Sequence, residues 1–149
     1  MEEFKKELYE KYKGELKEDY DIKGLTTWKI GGICRFVAFP KGEEELIVLC
    51  QLVEKYNIKH YVIGKASNIL FGDKYFPGLI IYLGKNFNGY SIEKRGEKME
   101  ASALSGLTLN SLGKIAAENS LKGLEYLSYI PGTLGGALTT NAEAHKTSI

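Results

Sequence analysis

The chain has 149 residues, of which 44% are hydrophobic and 26% are charged, and its formal net charge is +1. This balance is typical of a globular protein, and the near-neutral charge argues against non-specific binding of nucleic acid. No segment approaches the roughly 18 consecutive apolar residues of a membrane span, and the charged N-terminus is unlike a signal peptide, so we expect a cytoplasmic protein.

The first predicted element is an amphipathic helix over residues 3–18. Its apolar side chains recur every four residues between charged ones, which is the spacing of one helical face. These side chains are Phe4, Leu8, Tyr12 and Leu16.

Strands and helices are mixed in the rest of the chain. After a turn-rich segment at 21–32, the patterns predict a strand over 34–39 ended by Pro40 and a helix over 43–56. Strands over 60–64 and 79–83 follow, separated by a turn on Pro77-Gly78. The remaining predicted elements are a hairpin of 90–94 with 98–104, a helix over 107–119 and a last strand over 136–142. The helix over 43–56 should place Leu46, Leu49, Cys50, Val53 and Tyr56 on one face. This order predicts an α+β fold, because a doubly wound sheet would alternate strand and helix regularly.

A segment rich in Gly and Asn at residues 84–90 predicts a boundary between two subdomains. We therefore expect an N-terminal helix at 1–20, a first subdomain at 21–85 and a second subdomain at 86–149.

The cysteines and histidines give no sign of a disulfide framework or a metal site. The chain contains only Cys34, Cys50, His60 and His145, and they are far apart in sequence. Metal sites usually place several such residues at short, fixed intervals.

Two polar loops follow apolar segments and are the candidate binding sites. They are Gly64–Asn68 and Ile130–Gly136. Runs of small residues can turn several backbone N–H groups toward one point and so bind an anion, and Ser67, Asn68 and Thr133 would add side-chain donors. The same composition is also typical of tight turns without a ligand. Neither G-x-G-x-x-G nor a P-loop motif is present.

Four separated segments resemble the flavin-binding part of the UDP-N-acetylenolpyruvoylglucosamine reductase family, also called UDP-N-acetylmuramate dehydrogenases. They occur in the family's order and approximate spacing, and they are Thr26–Gly32, Val62–Leu70, Gly123–Leu127 and Ile130–Ala137 continued through Asn141-Ala142. The resemblance implies the two-subdomain α+β FAD-binding fold shared with vanillyl-alcohol-oxidase-type enzymes. It also implies a role in peptidoglycan synthesis, where NADPH reduces the flavin and the flavin reduces an enolpyruvyl double bond.

In that family the two polar loops lie along FAD, with the first at the pyrophosphate and the second near the phosphates, ribityl chain and flavin ring. The cofactor-binding residues that the resemblance implies are Gly64, Lys65, Ala66, Ser67, Asn68, Ile130, Pro131, Gly132, Thr133, Gly135, Gly136 and Asn141. The family's catalytic arginine, serine and glutamate lie beyond the matched residues, as does its substrate-binding domain. The resemblance therefore assigns no catalytic residue here, and NADPH would be used only if a complete enzyme is assembled.

The sequence departs from the family at five positions where glycine is usual. They are Ala66, Ser102, Leu104, Glu143 and Lys146. A left-handed residue other than glycine costs about 1–2 kcal/mol, and a side chain can hold a phosphate away from the backbone, so we expect these changes to oppose FAD binding. We expect Lys65 to favour FAD binding instead, because its cation can pair with the pyrophosphate.

These features leave three hypotheses open. The chain is a shortened FAD-binding region that still holds flavin, a flavin-free relative that acts as a binding or structural module, or one half of a split enzyme. A homodimer or a second chain would then cover an unpaired strand edge at residues 137–142. We expect no nucleic-acid or membrane partner.

Overall fold

The computed structural model describes residues 1–144 and 147–149. The isolated His145 and the glycine replacement at Lys146 lie outside the described residues. The chain forms two compact units, Met1–Asn86 and Phe87–Ile149. None of the helices in the described part of the chain has the length and apolar character that a membrane crossing requires.

The first unit is a four-stranded sheet with two helices. Its elements are α1 (Glu2–Lys11), β1 (Glu15–Asp21), a 3-10 turn (Ile22–Leu25), β2 (Ile33–Phe39), α2 (Glu43–Lys55), β3 (His60–Ile63) and β4 (Phe76–Tyr82). The strand order is β1-β2-β4-β3. Strands β2, β3 and β4 are parallel, and β1 runs antiparallel to β2. The carboxyl ends of three strands therefore meet at one edge of the sheet.

The prediction of one helix over residues 3–18 is wrong beyond Lys11. Tyr12 is extended at the end of α1, with φ −83° and ψ 121°, and Leu16 lies in β1 opposite Ala38. The charged residues around Leu16 suit a helix surface, but pairing with β2 satisfies the backbone of this segment instead. Phe4, Leu8 and Tyr12 do share a buried face, as predicted.

The turn predicted on Pro77-Gly78 is also wrong, because both residues lie inside β4. Cys34 pairs with Phe76 and Phe36 pairs with Leu79, so β4 carries one extra residue in a bulge. A bulge accepts Pro77, which has no N–H to donate to the ladder. A side chain at position 78 would overlap the carbonyl oxygen of Lys59, so this position requires glycine.

The strand predicted over 34–39 and the helix predicted over 43–56 are confirmed as β2 and α2. The expected face of α2 is correct except at one position. Leu49 and Val53 are buried, but Cys50 is exposed and Leu52 is buried in its place.

One core cluster of the first unit lies against the sheet and includes Ala66, the third residue after β3. Its buried members are Ile22, Cys34, Val37, Phe39, Ile63, Ala66, Phe71 and Ile80. Burial, with a smaller contribution from the charge of Asp19, raises the pKa of the Cys34 thiol to about 11, so Cys34 acts as a small apolar side chain.

The second unit combines a hairpin with short helices. Its elements are β5 (Tyr90–Arg95), β6 (Lys98–Ala103), α3 (Leu109–Glu118), a 3-10 turn (Glu125–Tyr129), α4 (Leu134–Thr140), β7 (Glu143–Ala144) and β8 (Thr147–Ser148). The predicted hairpin and the helix over 107–119 are confirmed. Thr108 begins α3 by accepting a hydrogen bond from the N–H of Ser111 at 3.1 Å.

The last strand predicted over 136–142 is wrong, because these residues form most of α4. The Thr133 side chain accepts from the N–H of Gly136, and Asn141 ends the helix in the left-handed conformation, with φ 46° and ψ 56°. Asn is one of the few residues that tolerate this conformation. These two caps, and not the ambiguous apolar pattern between them, decide that the segment is a helix.

Candidate functional site

The first candidate loop, Gly64–Asn68, begins where β3 ends, at the carboxyl edge of the parallel strands. The N–H of Leu83 donates to the carbonyl of Ile63 at 2.8 Å, so the loop leaves the sheet at the last ladder bond. In open α/β sheets, ligands bind outside the carboxyl ends of strands. The loop therefore lies at the edge of the sheet where ligands of this fold class bind.

The segment after the first 3-10 turn holds this loop in place. Thr27 donates to the carbonyl of Lys65 from its backbone N–H at 3.2 Å and from its hydroxyl at 2.9 Å. The indole of Trp28 donates to the carbonyl of Ser67 at 3.2 Å. The Thr26 hydroxyl, which is buried, donates to Ile30 at 3.0 Å and closes the turn that carries both donors.

These bonds decide which way the loop amides point. In a trans peptide the C=O and the following N–H point in opposite directions. Because the carbonyls of Lys65 and Ser67 point toward the Thr27-Trp28 segment, the N–H groups of Ala66 and Asn68 point away from it. Among the described residues, neither N–H has an acceptor. Two alternate amides directed to one side of a loop form a donor set that suits an anion.

Ala66 has the backbone conformation that favours glycine. Its φ is +47°, and the whole residue is only 6% exposed within the core. The chain therefore carries a strain of about 1–2 kcal/mol at this residue, partly offset by about 0.8 kcal/mol from burying the methyl group. The methyl group packs in the core cluster and does not project into solvent.

A pocket of about 270 Å³ lies beside the loop, within the first unit. Its lining residues are Gly24, Leu25, Thr26, Thr27, Lys29, Lys65 and Tyr82. Lys29 and Lys65 are its charged groups, and both are cationic. Burial raises the pKa of Tyr82, with a smaller contribution from Tyr20, so its phenol remains a hydrogen-bond donor at neutral pH. The pocket is polar and positive, and it is smaller than most sites for drug-sized ligands.

The second candidate loop, Ile130–Gly136, lies in the second unit beside the segment that precedes α3. Thr133 forms an antiparallel bridge with Thr108, in which Leu109 donates to Gly132 at 3.2 Å and Leu134 donates to Leu107 at 2.8 Å. Gly132 has φ +128°, a backbone conformation that glycine adopts readily and other residues rarely adopt. The loop is therefore fixed by the chain before α3.

Most amides at the start of α4 are used inside the unit. The N–H of Gly135 donates to Ser105 at 2.9 Å, and that of Gly136 donates to the Thr133 hydroxyl at 3.4 Å. A side chain at Gly135 would meet the Cβ of Ser105 at 2.8 Å, so this glycine allows a close approach within the protein. Among the described residues, no acceptor faces the N–H groups of Gly132 and Thr133.

The remaining positions of glycine loss differ from Ala66. Ser102 lies in β6 and Glu143 in β7, and Leu104 directly follows β6. None of the three has a positive φ. Of the four described replacements, only Ala66 therefore has the strained conformation on which the expected penalty was based.

Sequence reasoning missed the residues that hold the first loop. The segment Thr26–Gly32 carried the family resemblance, but Thr27, Trp28 and Lys29 were not predicted as site residues. The signal available in the sequence was the pair Thr26-Thr27 followed by Trp28 and Lys29, which are side chains that can donate hydrogen bonds. Conversely, no group of His, Cys, Asp and Glu in the described part of the chain could hold a metal ion.

Comparison with known proteins gives a family and a fold. The family profile described as "FAD binding domain" matches residues 34–149. The UDP-N-acetylenolpyruvoylglucosamine reductase of Caldicellulosiruptor saccharolyticus is 39% identical over 140 residues, which are 94% of this chain and 44% of that enzyme. The resemblance found in the four segments is thereby confirmed. The chain spans less than half the length of this relative.

Solved structures agree with this result. The UDP-N-acetylenolpyruvylglucosamine reductase from Thermus caldophilus is similar with a TM-score of 0.63 and 26% identity, over 91% of this chain and 45% of that one. An alkyldihydroxyacetonephosphate synthase shares the fold, with a TM-score of 0.68 and 22% identity over 97% of this chain and 33% of that one. The predicted α+β FAD-binding fold is confirmed.

Proposed function

Because this chain belongs to the FAD binding domain family, we propose that it binds FAD as the flavin-binding part of an enzyme similar to UDP-N-acetylenolpyruvoylglucosamine reductase. The observation that supports this most is the Gly64–Asn68 loop. The carbonyls of Lys65 and Ser67 accept hydrogen bonds from Thr27 and Trp28, which directs the N–H groups of Ala66 and Asn68 away from that segment.

The donor set fits a diphosphate. Lys65 and Lys29 line the pocket beside the loop, whereas Ala66 and Asn68 do not, so the two cations would attract a diphosphate toward the loop from the pocket side. The pocket volume accommodates part of a dinucleotide and not the whole molecule. We assign the pyrophosphate to the N–H groups of Ala66 and Asn68 and to Lys65.

The glycine losses oppose this assignment less than their number suggests. The methyl of Ala66 is buried in the core, and the folded chain already carries its backbone strain before any ligand binds. Ser102 and Glu143 are ordinary strand residues.

When bound, FAD would supply two-electron chemistry through its flavin ring. The chain's own residues would bind and orient the cofactor. The family's catalytic arginine, serine and glutamate fall outside the matched region, so we propose that NADPH oxidation and substrate reduction require a further polypeptide segment.

A flavin-free binding module is the second candidate. The observation that favours it is the second loop, in which the N–H groups of Leu134, Gly135 and Gly136 donate inside the unit. A protein of this kind would bind a nucleoside diphosphate through the first loop and would make no use of a flavin ring.

Isothermal titration distinguishes the two candidates. We expect micromolar or tighter affinity for FAD and weaker affinity for ADP, because ADP lacks the flavin half. Equal affinities for FAD and ADP would favour the flavin-free module. The absence of heat with either ligand near millimolar concentration would contradict both. A flavin absorbance spectrum of the purified protein is the independent check.

A further inference from the structure

The pocket beside the Gly64–Asn68 loop lies on the side toward which the loop carbonyls point. Thr27 and Lys65 both line it, and the Thr27 hydroxyl donates to the carbonyl of Lys65 at 2.9 Å. The N–H groups of Ala66 and Asn68 point away from Thr27, and neither residue lines the pocket. A ligand in this pocket would therefore leave both N–H groups available to FAD.

The positive charge of the pocket is not compensated. Its described lining contains two lysines, Lys29 and Lys65, and no acidic residue. Within the described part of the chain, neither ammonium group has an ion-pair partner. Lys29 donates a long hydrogen bond, at 3.4 Å, to the carbonyl of Gly24, although an ammonium group has three donors. An anion in the pocket would pair with both cations and offset their mutual repulsion.

Neutral polar groups line the rest of the pocket. The hydroxyl of Thr27 donates to Lys65 but keeps lone pairs that can accept a hydrogen bond. The phenol of Tyr82 donates to no acceptor among the described residues, and its ring makes an edge contact with Phe39, with 5.6 Å between the ring centroids. The volume of about 270 Å³ lies just below the range for drug-sized ligands. These groups suit a small molecule that carries a phosphate on a hydroxylated body.

We propose that the pocket binds a small phosphate monoester, such as a sugar phosphate, as a ligand separate from FAD, and that this ligand weakens FAD binding through Lys65. The coupling rests on the proposed function, whereas binding of the monoester does not. Lys65 is the charged group that the two sites share, because it lines the pocket and directly precedes Ala66 in the loop. Its single charge cannot neutralise both anions. Each ligand should therefore lower the affinity of the other by the same factor.

The expected coupling is modest and has an upper limit. FAD keeps its hydrogen bonds to Ala66 and Asn68 when the pocket is filled, so it should lose mainly the contribution of Lys65. We expect FAD affinity to fall about fivefold and then to stay constant as more monoester is added, because one exposed ion pair contributes about that factor. Direct competition for one site would instead lower the apparent affinity without limit.

Phosphorus NMR of the full chain without FAD measures monoester binding directly. We expect saturable line broadening of ribose 5-phosphate, with a dissociation constant on the order of millimolar because the cations are exposed. Lys29→Ala and Tyr82→Phe should each weaken this binding about fivefold, since each removes one polar contact. The matched control is Lys41→Ala, which removes an exposed lysine outside the pocket.

Isothermal titration of FAD at increasing ribose 5-phosphate measures the coupling, with ionic strength held constant so that screening does not change. A fall in FAD affinity of about fivefold that then levels off would support the proposal. Tyr82→Phe should shift this fall to about fivefold higher monoester concentrations. A fall without limit would overturn the proposal, because the pocket would then be part of the FAD site. FAD affinity that does not respond to the monoester would overturn the coupling through Lys65.

The NMR titration can also overturn the site itself. No line broadening, or equal losses in Lys29→Ala and Lys41→Ala, would do so. Equal affinities for ribose 5-phosphate and inorganic phosphate would overturn the assignment of a monoester. Monoester binding by a chain that gives no heat with FAD would support the site and refute only the proposed function.

Discussion

The indole of Trp28 donates a hydrogen bond to the carbonyl of Ser67 across 39 positions of sequence, at 3.2 Å. This bond ties an aromatic side chain that is 60% exposed to the loop that we assign to the FAD pyrophosphate. Trp28 is also the chain's single tryptophan. The contact therefore places a spectroscopic reporter directly beside the proposed site.

The first prediction is that FAD quenches the fluorescence of this protein. An indole beside a bound flavin transfers its excitation to the flavin, so the emission should fall saturably with added FAD. ADP should shift the emission slightly without comparable quenching. The control is Trp28→Phe, which removes the signal. Linear quenching without saturation would mean collisional contact and would contradict a site at this loop.

The second prediction concerns Lys65. Replacing it with alanine removes a cation from the pocket that Lys29 shares, and we expect FAD affinity to fall about fivefold, the effect of one exposed ion pair. Added salt should narrow the difference between wild type and variant, since salt screens exposed charges. Lys41→Ala, an exposed lysine of the same unit outside the pocket, is the matched control. Equal effects of both variants in isothermal titration would argue against direct pairing.

The third prediction concerns the left-handed residue Ala66. Ala66→Gly relieves about 1–2 kcal/mol of strain but loses about 0.8 kcal/mol of methyl burial and gains unfolded-state entropy, so the free energy of unfolding should change by less than about 1 kcal/mol. Ala66→Val should lower it by about 2 kcal/mol or more, because a β-branched residue fits this conformation poorly. Urea unfolding measures both.

FAD affinity of the same glycine variant tests whether the methyl matters to the ligand. Because the methyl is buried in the core, Ala66→Gly should leave affinity within about twofold of wild type, a difference below 0.5 kcal/mol. A gain of tenfold or more would mean that the methyl obstructs the phosphate.

The fourth prediction tests the bulge in β4. Gly78→Ala should reduce the free energy of unfolding by about 2 kcal/mol, because the new methyl overlaps the backbone carbonyl of Lys59 and the strand must shift. Gly72→Ala is the control, since nothing lies within 4 Å of a methyl there. If thermal or urea unfolding finds the two variants equally stable, position 78 does not make the close contact described.

The fifth prediction concerns Glu7, which links α1 to α2. Hydrogen bonds from Lys11, then Lys55 and Tyr56, lower the pKa of Glu7 from 4.5 to about 2. A depressed pKa in the folded state contributes stability that is complete above the unfolded value and is lost as pH falls through the folded value. The contribution should therefore be present at neutral pH and disappear between pH 4.5 and about 2.

Glu7→Gln tests this pH window. The variant should be less stable than wild type at neutral pH, and the difference should shrink as the pH is lowered toward 2. Glu3→Gln, on an exposed part of the same helix, should match wild type throughout. A stability difference between Glu7→Gln and wild type that does not depend on pH would show that ionisation of Glu7 is not its cause.

The sequence by itself determined the family, the α+β class and several elements. The four motif segments identified the resemblance, the periodicity of residues 43–56 gave α2, and the alternation around Arg95-Gly96 gave the hairpin. These features depend on residues close together in sequence. Local spacing therefore carries enough information to predict them.

Tertiary structure alone decided the rest. Leu16 lies in a strand because β2 provides hydrogen-bond partners for its backbone. Pro77-Gly78 lies in β4 because the pairing of β4 with β2 contains a bulge there. The loop amides acquired their direction from Thr27 and Trp28, nearly 40 positions earlier in sequence. Each of these outcomes depends on a hydrogen-bond partner distant in sequence, and a local pattern contains no information about where that partner will lie.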